Sequence, residues 1–586
     1  MKSNINLHIH TTHSDGAKSV EEIIEGLRAA GVDTFAITDH DCVDGNLEAE
    51  VLCKKYNMMR YNGVELSCRF DGEIGLDESF TVHILGYDFD NEKMEQVLKE
   101  INIKREIALR ELCDELAKSG YKLPEIQVDD LKRTYLAKLL VNAGYFSSNE
   151  EAYKKCLNTD AFKRFARTYS TIKEGIALLK VIVEGVAVWA HPFTATRGNK
   201  VDLTESQVLE LVEKMVEYGI EGIEVYCQNH TTDQTIFLEN IAKKYNLATS
   251  VGTDYHGVPI DKIGAPKYAK RINEEHYFEA SGITPSVTIL DYIKSKREIK
   301  KVIELTGGAR KKIKLHNDGY WSRAYVVNGG EFVVKFPKYD CVDYSVEARF
   351  LDFINAHNPP INMQRVKLLA EDNSFIAFCG VKGTPLSELK NLSLEQKSDI
   401  CKQLANFLKL AHSLKLDDIG GQNLNFEIES YKLRYAESSS FFNKYLSKEE
   451  KEILDFLMLE YFPRKRIVLG EKIVLCHGDV WDPNIFIDES GKVGIIDCAN
   501  AGYYEEATDF CFYDENLRKL LLDHYGADEV LHKKVELKYA MSVIVSPKYI
   551  IETDGEAVAV KTYLPLIREV ILKYKECKRS KRGERQ

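Results

Sequence analysis

Before residue 257 the chain carries seven short apolar runs that each contain or end in a histidine or a carboxylate: NLHIH, TFAITDHD, MRYNGVE, FTVHILGY, VAVWAHP, GIEVYCQNH and LATSVGTDYHG. Helical segments separate several of them. In SVEEIIEGLRAAG, Ser19 and Glu22 form a capping box, and Ile23, Ile24 and Leu27 supply an apolar face. A second helix is read at Leu47–Lys55. Strands fall at Met59–Val64, ending at Glu65, and at Phe80–Leu85, carrying His83. Strand, helix, strand alternation predicts parallel strands. The C-terminal ends of such strands are where βα barrels assemble their active sites.

The first run indicates the chemistry. Ile5, Leu7 and Ile9 alternate with polar residues, so NLHIH reads as a strand on which His8 and His10 share one face. Asp15 follows in the loop. Neutral imidazole and carboxylate are ordinary ligands of zinc, manganese and iron, and this mix suits all three. Of the 15 histidines, eight precede residue 257, and His8, His10, His40, His83, His191, His230 and His256 all fall on the predicted rim. His13 reads as a loop residue outside it. With Asp15, Glu65 and Asp254 the set exceeds one metal's needs and suffices for about three, the arrangement that clamps a phosphate and generates hydroxide near neutral pH.

In NLHIHTTHSDG, ITDHD, GVELS, VHILGY, AHP and GTDYHG the sequence resembles the polymerase and histidinol phosphatase (PHP) family of metal-dependent phosphoesterases, over about residues 1–270. The resemblance implies a distorted (β/α)7 barrel in which His8, His10, Asp15, His40, Glu65, His83, His191, Asp254 and His256 hold two or three divalent metals, Glu65 bridging two. It also implies a place for His230 near the substrate phosphate. Between His83 and His191 about a hundred residues, the insertion being roughly 91–180, are helical in pattern and too long for a loop. This insertion resembles the cap of PHP proteins that dephosphorylate mononucleotides, nucleoside 3',5'-bisphosphates or short RNA ends. That branch often shows Arg-x-His, where this chain has Arg133, Thr134 and Tyr135. Arg133 is retained as a charge-assisted phosphate contact, and histidinol phosphate stays open as the rival substrate.

Residues 271–310, with Pro285 and the run IKSKREIKK, read as a charged linker. Beyond it no comparable histidine rim recurs. HGDVWDPNIFID and VGIIDCANAGYYEEATDF instead place Asp479 in a loop, Asn484 five positions on and Asp497 after the next strand, the order that phosphoryl transfer from ATP requires. Asp479 positions and deprotonates the attacking hydroxyl, while Asn484 and Asp497 hold magnesium against the nucleotide phosphates. EFVVKFP puts Lys335 on a strand and SVEARFLDFI puts Glu347 on a helix, which supplies the lysine and glutamate pair that braces those phosphates. Gly319, in HNDGYWSRAYVV, sits in a loop between strands without a full GxGxxG.

Together these residues resemble the aminoglycoside phosphotransferase and choline kinase group over about residues 311–577. The resemblance implies a two-lobed, protein-kinase-like α+β fold, with Phe375–Gly383 as the hinge and DENLRKLLLDHYGAD as a helix near the acceptor pocket. It departs at Asp497-Cys498-Ala499, where relatives often carry an aromatic or glycine after the aspartate; the metal ligand itself is intact. Residues 578–586 read as a charged tail.

Composition narrows the partners. A chain of 586 residues with 44% hydrophobic and 29% charged content can bury large cores, and two big α/β units account for it. The net charge of −12 argues against an extended nucleic-acid duplex as partner. Thirteen cysteines without a CxxC pair point to reduced thiols, most of them core residues such as Cys113 and Cys401. MKSNINLHIH lacks a signal-peptide pattern and no apolar run has the length to span a bilayer, so a cytoplasmic protein without a membrane partner is expected.

The combined reading is a bifunctional enzyme. A phosphoesterase with manganese, zinc or iron is joined to a phosphotransferase that uses magnesium and ATP or GTP on a small-molecule hydroxyl. Joining the two raises the effective concentration of one site's product at the other. The alternatives are a histidinol-phosphate-type phosphatase with a nucleotide-binding regulatory kinase-like domain, and an antibiotic-modifying kinase with a fused phosphatase.

Overall fold

The computed structural model describes residues 5–76, 80–123, 133–152, 155–156, 160–197, 199–257, 286–309, 312–316, 319, 321–510 and 514–583. The chain divides into two compact units, Met1–Lys296 and Arg297–Gln586.

The first unit is built on β1 (Ile5–Asn6), β2 (Thr34–Ile37), β3 (Met59–Arg69), β4 (Thr81–Tyr87), β5 (Val186–Trp189), β6 (Thr194–Arg197), β7 (Asn199–Asp202), β8 (Gly222–Cys227) and β9 (Ala248–Gly252). Seven of them run in the order β1-β2-β3-β4-β5-β8-β9, and the β6-β7 pair hangs on β4. The two ends of this path meet. Leu7 N donates to Val251 O at 3.0 Å and His10 N to Tyr255 O at 2.9 Å, while Ile9 bridges to Tyr255. The sheet therefore nearly closes into a barrel, with helices packed outside it. Helix Val20–Ala29 carries both bonds of the Ser19/Glu22 capping box and buries Val20, Ile23, Ile24 and Leu27, which pack with Phe35 and Ile37 of β2.

Two expectations about strands are corrected. β4 is antiparallel to both β3 and β5, not parallel. The reason is the short link between β3 and β4, residues 70–80, whose described residues hold a turn of 3-10 helix; a parallel return needs a crossover of a dozen residues or more. Nor does β3 stop at Glu65: it runs on to Arg69, so Glu65 is mid-strand, facing Leu85, with Ser67 opposite His83. Because β4 runs the opposite way, His83 near its start comes level with the same rim that the other strands reach at their C-terminal ends.

The insertion opens with helix Asn91–Lys118, N-capped by Asp90 through Lys93 N. With helices Arg133–Asn142 and Asp160–Ala166 it has a core of its own, including Leu112, Leu116, Ala137, Leu140 and Phe165. Arg105 on the long helix is buried, bonds Asp41 Oδ2 at 3.1 Å and stacks over Tyr169. This ties the insertion to the rim at the residue after His40.

In the second unit β10 (Ile313–His316), β11 (Ser322–Val327), β12 (Phe332–Pro337), β14 (Arg365–Leu369) and β15 (Ile376–Cys379), with β13 (Asn362–Met363) elsewhere, give one antiparallel sheet in the order β10-β11-β12-β15-β14. Helix Ser345–Ala356 accompanies it. The larger lobe is helical, with Leu394–Ser413, Leu424–Glu437, Glu515–Tyr525, Glu529–Thr553 and Glu556–Gly583. Small sheets made from β16 (Thr384–Pro385), β17 (Ile473–Cys476), β18 (Ile485–Ile487), β19 (Val493–Ile495) and β20 (Gly502–Glu505) frame its loops. The segment read as the hinge holds β15 and ends at Gly383, whose φ of +136° only glycine adopts readily.

Helix Ile289–Thr306 lies within the stretch read as linker, of which residues 271–285 fall outside the described residues. No helix among the described residues is long and apolar enough to cross a membrane. The second unit's main core joins Phe350, Leu351, Phe378, Phe407 and Leu408. Phe407→Ala, at a fully buried site, is expected to cost about 3–5 kcal/mol, read as a lower denaturant midpoint for the second unit; a change under about 1 kcal/mol would mean that the core is not packed as described.

Candidate functional site

In the first unit the central group is Glu65, fully buried on β3. Its Oε2 lies 3.3 Å from His8 Nε2 and 3.2 Å from both His10 Nε2 and His40 Nδ1. Its Oε1 lies 3.0 Å from both His83 Nδ1 and His191 Nε2. Asp254 Oδ1 adds contacts of 3.4 Å to His8 and 3.3 Å to His10. Asp15 is at the mouth, 3.5 Å from His256 Nε2 and 3.7 Å from His10 Nδ1.

Ligand atoms within 4.8 Å of one another define three groups among the described residues of this unit: His8, His10, Glu65 and Asp254; His40, Glu65 and His83; and His10, Asp15, His40 and His256. Each pair of groups shares one residue, Glu65, His10 or His40. His191 joins the second through its contacts with Glu65 Oε1 and with His83, 3.2 Å away.

The donor set fits cations. His8 Nε2, His10 Nε2, His40 Nδ1 and Glu65 Oε2 are buried without a hydrogen-bond partner, although they lie close together, and buried polar atoms are normally paired. Burial opposes ionisation of Glu65, but His83, His40 and His8 hold its pKa well below the ordinary carboxylate range. Burial likewise opposes the charge on Asp254, and His10 and His8 overcome it. Burial also drives His40 well below its usual value.

His13 is apart from this cluster and pairs with Glu48 at 3.2 Å. His230 belongs to none of the three groups. It is buried, its Nδ1–H donates to Val225 O at 3.0 Å and its ring meets the edge of Phe193. Arg133 begins its helix, and its side chain lies outside the described residues.

Two further carboxylates support the cluster: Asp39, legible in sequence only as a strand end, and Glu224. Asp39 accepts Thr11 N at 2.7 Å and so pins the loop that carries Asp15. Glu224, buried in β8, contacts His8 and the backbone of His191. Its only signal in sequence is a lone glutamate inside the apolar run GIEVYC.

In the second unit Lys335 Nζ on β12 lies 2.8 Å from Glu347 Oε1 and 2.7 Å from Asp497 Oδ1. Burial opposes its charge, and Asp497 and Glu347 more than restore it, raising its pKa. Asp497 has φ +66°, and its backbone N–H donates to Gln364 Oε1 at 3.2 Å. Asn484 Nδ2 donates to Asp479 Oδ2 at 2.9 Å and to Asp479 O at 3.1 Å. Burial, then the neighbouring Asp497 charge, pushes Asp479 up to about 7. Asp509, which sequence reading passed over, accepts His477 N at 2.9 Å and Gly478 N at 2.8 Å, and its Oδ2 lies 3.2 Å from His412 Nε2. It holds the backbone of the loop that leads to Asp479. Gly319 is exposed in the loop before β11, where a Cβ would come within 2.8 Å of Ser322 O.

Family models match twice, the PHP domain over residues 6–188 and the APH phosphotransferase enzyme family over residues 312–527. A 5'-3' exoribonuclease of Haemophilus influenzae is 30% identical over 263 residues, covering 44% of this chain and 91% of that protein. The chain belongs to the PHP family. A 3',5'-nucleoside bisphosphate phosphatase of Chromobacterium violaceum is 27% identical over 267 residues, covering 43% of this chain and 87% of that protein. Among solved structures, the GDP and kanamycin complex of an APH(2") enzyme is 16% identical, with a TM-score of 0.40, covering 47% of this chain and 99% of that one. The PHP unit is thus a phosphoesterase and hydrolase, and the APH unit a kinase-like transferase.

The shared corners of the PHP cluster generate a prediction. His10 serves two groups and His83 one, so after dialysis against manganese, His10→Ala should lose more than one metal equivalent and His83→Ala at most one, measured by elemental analysis. Equal losses would show that the groups do not act as separate sites.

Proposed function

We propose that the PHP unit hydrolyses a phosphomonoester on a nucleotide, whether a nucleoside monophosphate, a 3',5'-bisphosphate or a short RNA 5' end. We further propose that the APH unit transfers a phosphoryl group from ATP or GTP to a small-molecule hydroxyl. The observation that carries the reading is Glu65 among five imidazoles, each within 3.3 Å of its carboxylate.

His8, His10, Asp15, His40, Glu65, His83, His191, Asp254 and His256 are the groups assigned to hold two or three cations, manganese, zinc or iron. When bound, such cations supply Lewis-acid charge and a nucleophilic water at neutral pH. The chain's own work is to keep its carboxylates ionised and its imidazoles oriented. His230 and Arg133 are assigned to the substrate phosphate. In the APH unit, Asp479 receives the proton of the acceptor hydroxyl. Asn484 and Asp497 are assigned to magnesium, Lys335 braced by Glu347 to the nucleotide phosphates, and the Gly319 loop to their cover.

The reading takes about residues 1–270 and 311–577 as the two domains and places both activities in the cytoplasm, where ATP is at hand. The exoribonuclease and the nucleoside bisphosphate phosphatase among the relatives favour a nucleotide substrate over histidinol phosphate.

The test is phosphate release by manganese-loaded protein from nucleoside monophosphates, 3',5'-bisphosphates, 5'-phosphorylated RNA and histidinol phosphate. One nucleotide class should be cleaved, and Asp254→Ala should fall below about 1% of wild type, since even partners behind a ligand are worth ~10–100-fold. Cleavage of histidinol phosphate alone would sink the nucleotide assignment. For the APH unit, Asp479→Asn is expected to lower phosphoryl transfer by about 10²–10⁴-fold. ATP that is bound and never consumed, whatever hydroxyl acceptor is offered, aminoglycosides included, would make the unit regulatory.

A further inference from the structure

β8 is buried along its whole length, and within it Glu224 is the one ionisable carboxylate, fully enclosed. Burying such a group is costly unless it is hydrogen-bonded. The two oxygens of Glu224 go to two different strand ends. Oε1 lies 3.0 Å from His8 Nδ1, and Oε2 accepts the backbone N–H of His191 at 2.8 Å.

Each bond has a consequence at the cluster. An ionised carboxylate only accepts, so His8 Nδ1 carries a hydrogen and Nε2 is the ring atom left to offer a lone pair to a cation. That atom is the one facing Glu65 and Asp254. His191 adopts φ +28°, outside the regions that non-glycine residues favour. The Glu224 bond holds this turn, and the same residue's Nε2 reaches Glu65 Oε1 at 3.0 Å.

Space around the pair is tight as well. A Cβ at Gly252 on β9 would lie 2.2 Å from His8 Cβ and 2.6 Å from Glu224 Oε1. Only a glycine lets β9 pass so close to both.

We propose that Glu224 is a positioning residue for two of the three ligand groups. It sets the tautomer of His8 in the group with His10, Glu65 and Asp254, and it fixes the turn that delivers His191 beside Glu65 and His83. It does not touch the mouth group of His10, Asp15, His40 and His256. The inference rests on the reading of this cluster as a metal centre.

The experiment is a cobalt(II) titration of the full-length apo chain in competition with a chromophoric chelator, for wild type, Glu224→Gln and Glu224→Asp. In Glu224→Gln two equivalents should weaken by about 10–100-fold each while the third is unchanged, and the visible cobalt bands of the two should alter. Glu224→Asp keeps the charge but is one methylene too short to span both partners. It should weaken the same two equivalents, and it serves as the probe if far-ultraviolet circular dichroism shows Glu224→Gln unfolded. Wild-type affinities in the folded variants, or equal weakening of all three equivalents, overturn the proposal.

The readout separates this inference from the function. A wild-type chain that binds three equivalents and cleaves no phosphoester overturns the function and leaves Glu224 standing. Normal cleavage with unchanged variant affinities does the reverse.

Discussion

A carboxylate with no access to water, Glu65, sits among five imidazoles, and the PHP unit is arranged around the need to bring them there. A buried charge is tolerated only when surrounding groups compensate it. The imidazoles come from the loop after β1, the end of β2, the start of β4 and the turn after β5, so no local segment could build the site. Near-closure of the sheet, sealed by backbone bonds between residues 7–10 and 251–255, brings Asp254 and His256 to the same point. Extending β3 through Glu65 and reversing β4 places His83 opposite Ser67, within 3.0 Å of the Glu65 carboxylate. What looks like an irregularity of the barrel is the means by which one carboxylate reaches all five rings.

The APH unit solves a similar problem with fewer groups. Lys335 is buried between Glu347 and Asp497, and its positive charge survives because two carboxylates face it. The loop that carries Asp479 is held at several points. Asn484 ties Asp479, and Asp509 grips the backbone of His477 and Gly478. Asp479 thereby stays fixed while its environment disfavours its charge, which suits the role of proton acceptor proposed for it.

Legibility in the sequence followed the range of the interaction that each feature depends on. The Ser19/Glu22 capping box spans four residues and was readable because its bonds are local. His8, His10, His40, His191, Asp254 and His256 were readable because each closes an apolar run. His230 closes such a run too, yet it turns its Nδ1–H back to its own strand at Val225 and falls outside the three groups. The direction of β4 departs from what strand, helix, strand alternation predicts, because the link of residues 70–80 is too short for a crossover. Glu224 was passed over for a different reason. In a strand buried on both faces the side-chain pattern no longer alternates, so a lone glutamate gives no sign of which way it points.

The order and type of the chemical groups were set by sequence alone: imidazoles and carboxylates at strand ends in one half, and lysine, glutamate, aspartate, asparagine and aspartate in kinase order in the other. Those are local facts, because each motif is a few residues long and its meaning lies in side-chain chemistry. Tertiary structure decided the grouping. It made Glu65 the centre, gave each pair of the PHP unit's side-chain groups a shared residue, sent one carboxylate of β8 to two histidine-bearing strand ends and let Asp509 hold the loop before Asp479. These depend on contacts between residues up to 247 positions apart, such as Asn6 with Thr253. Only closure of the sheet and packing of the lobes bring such residues within reach of one another.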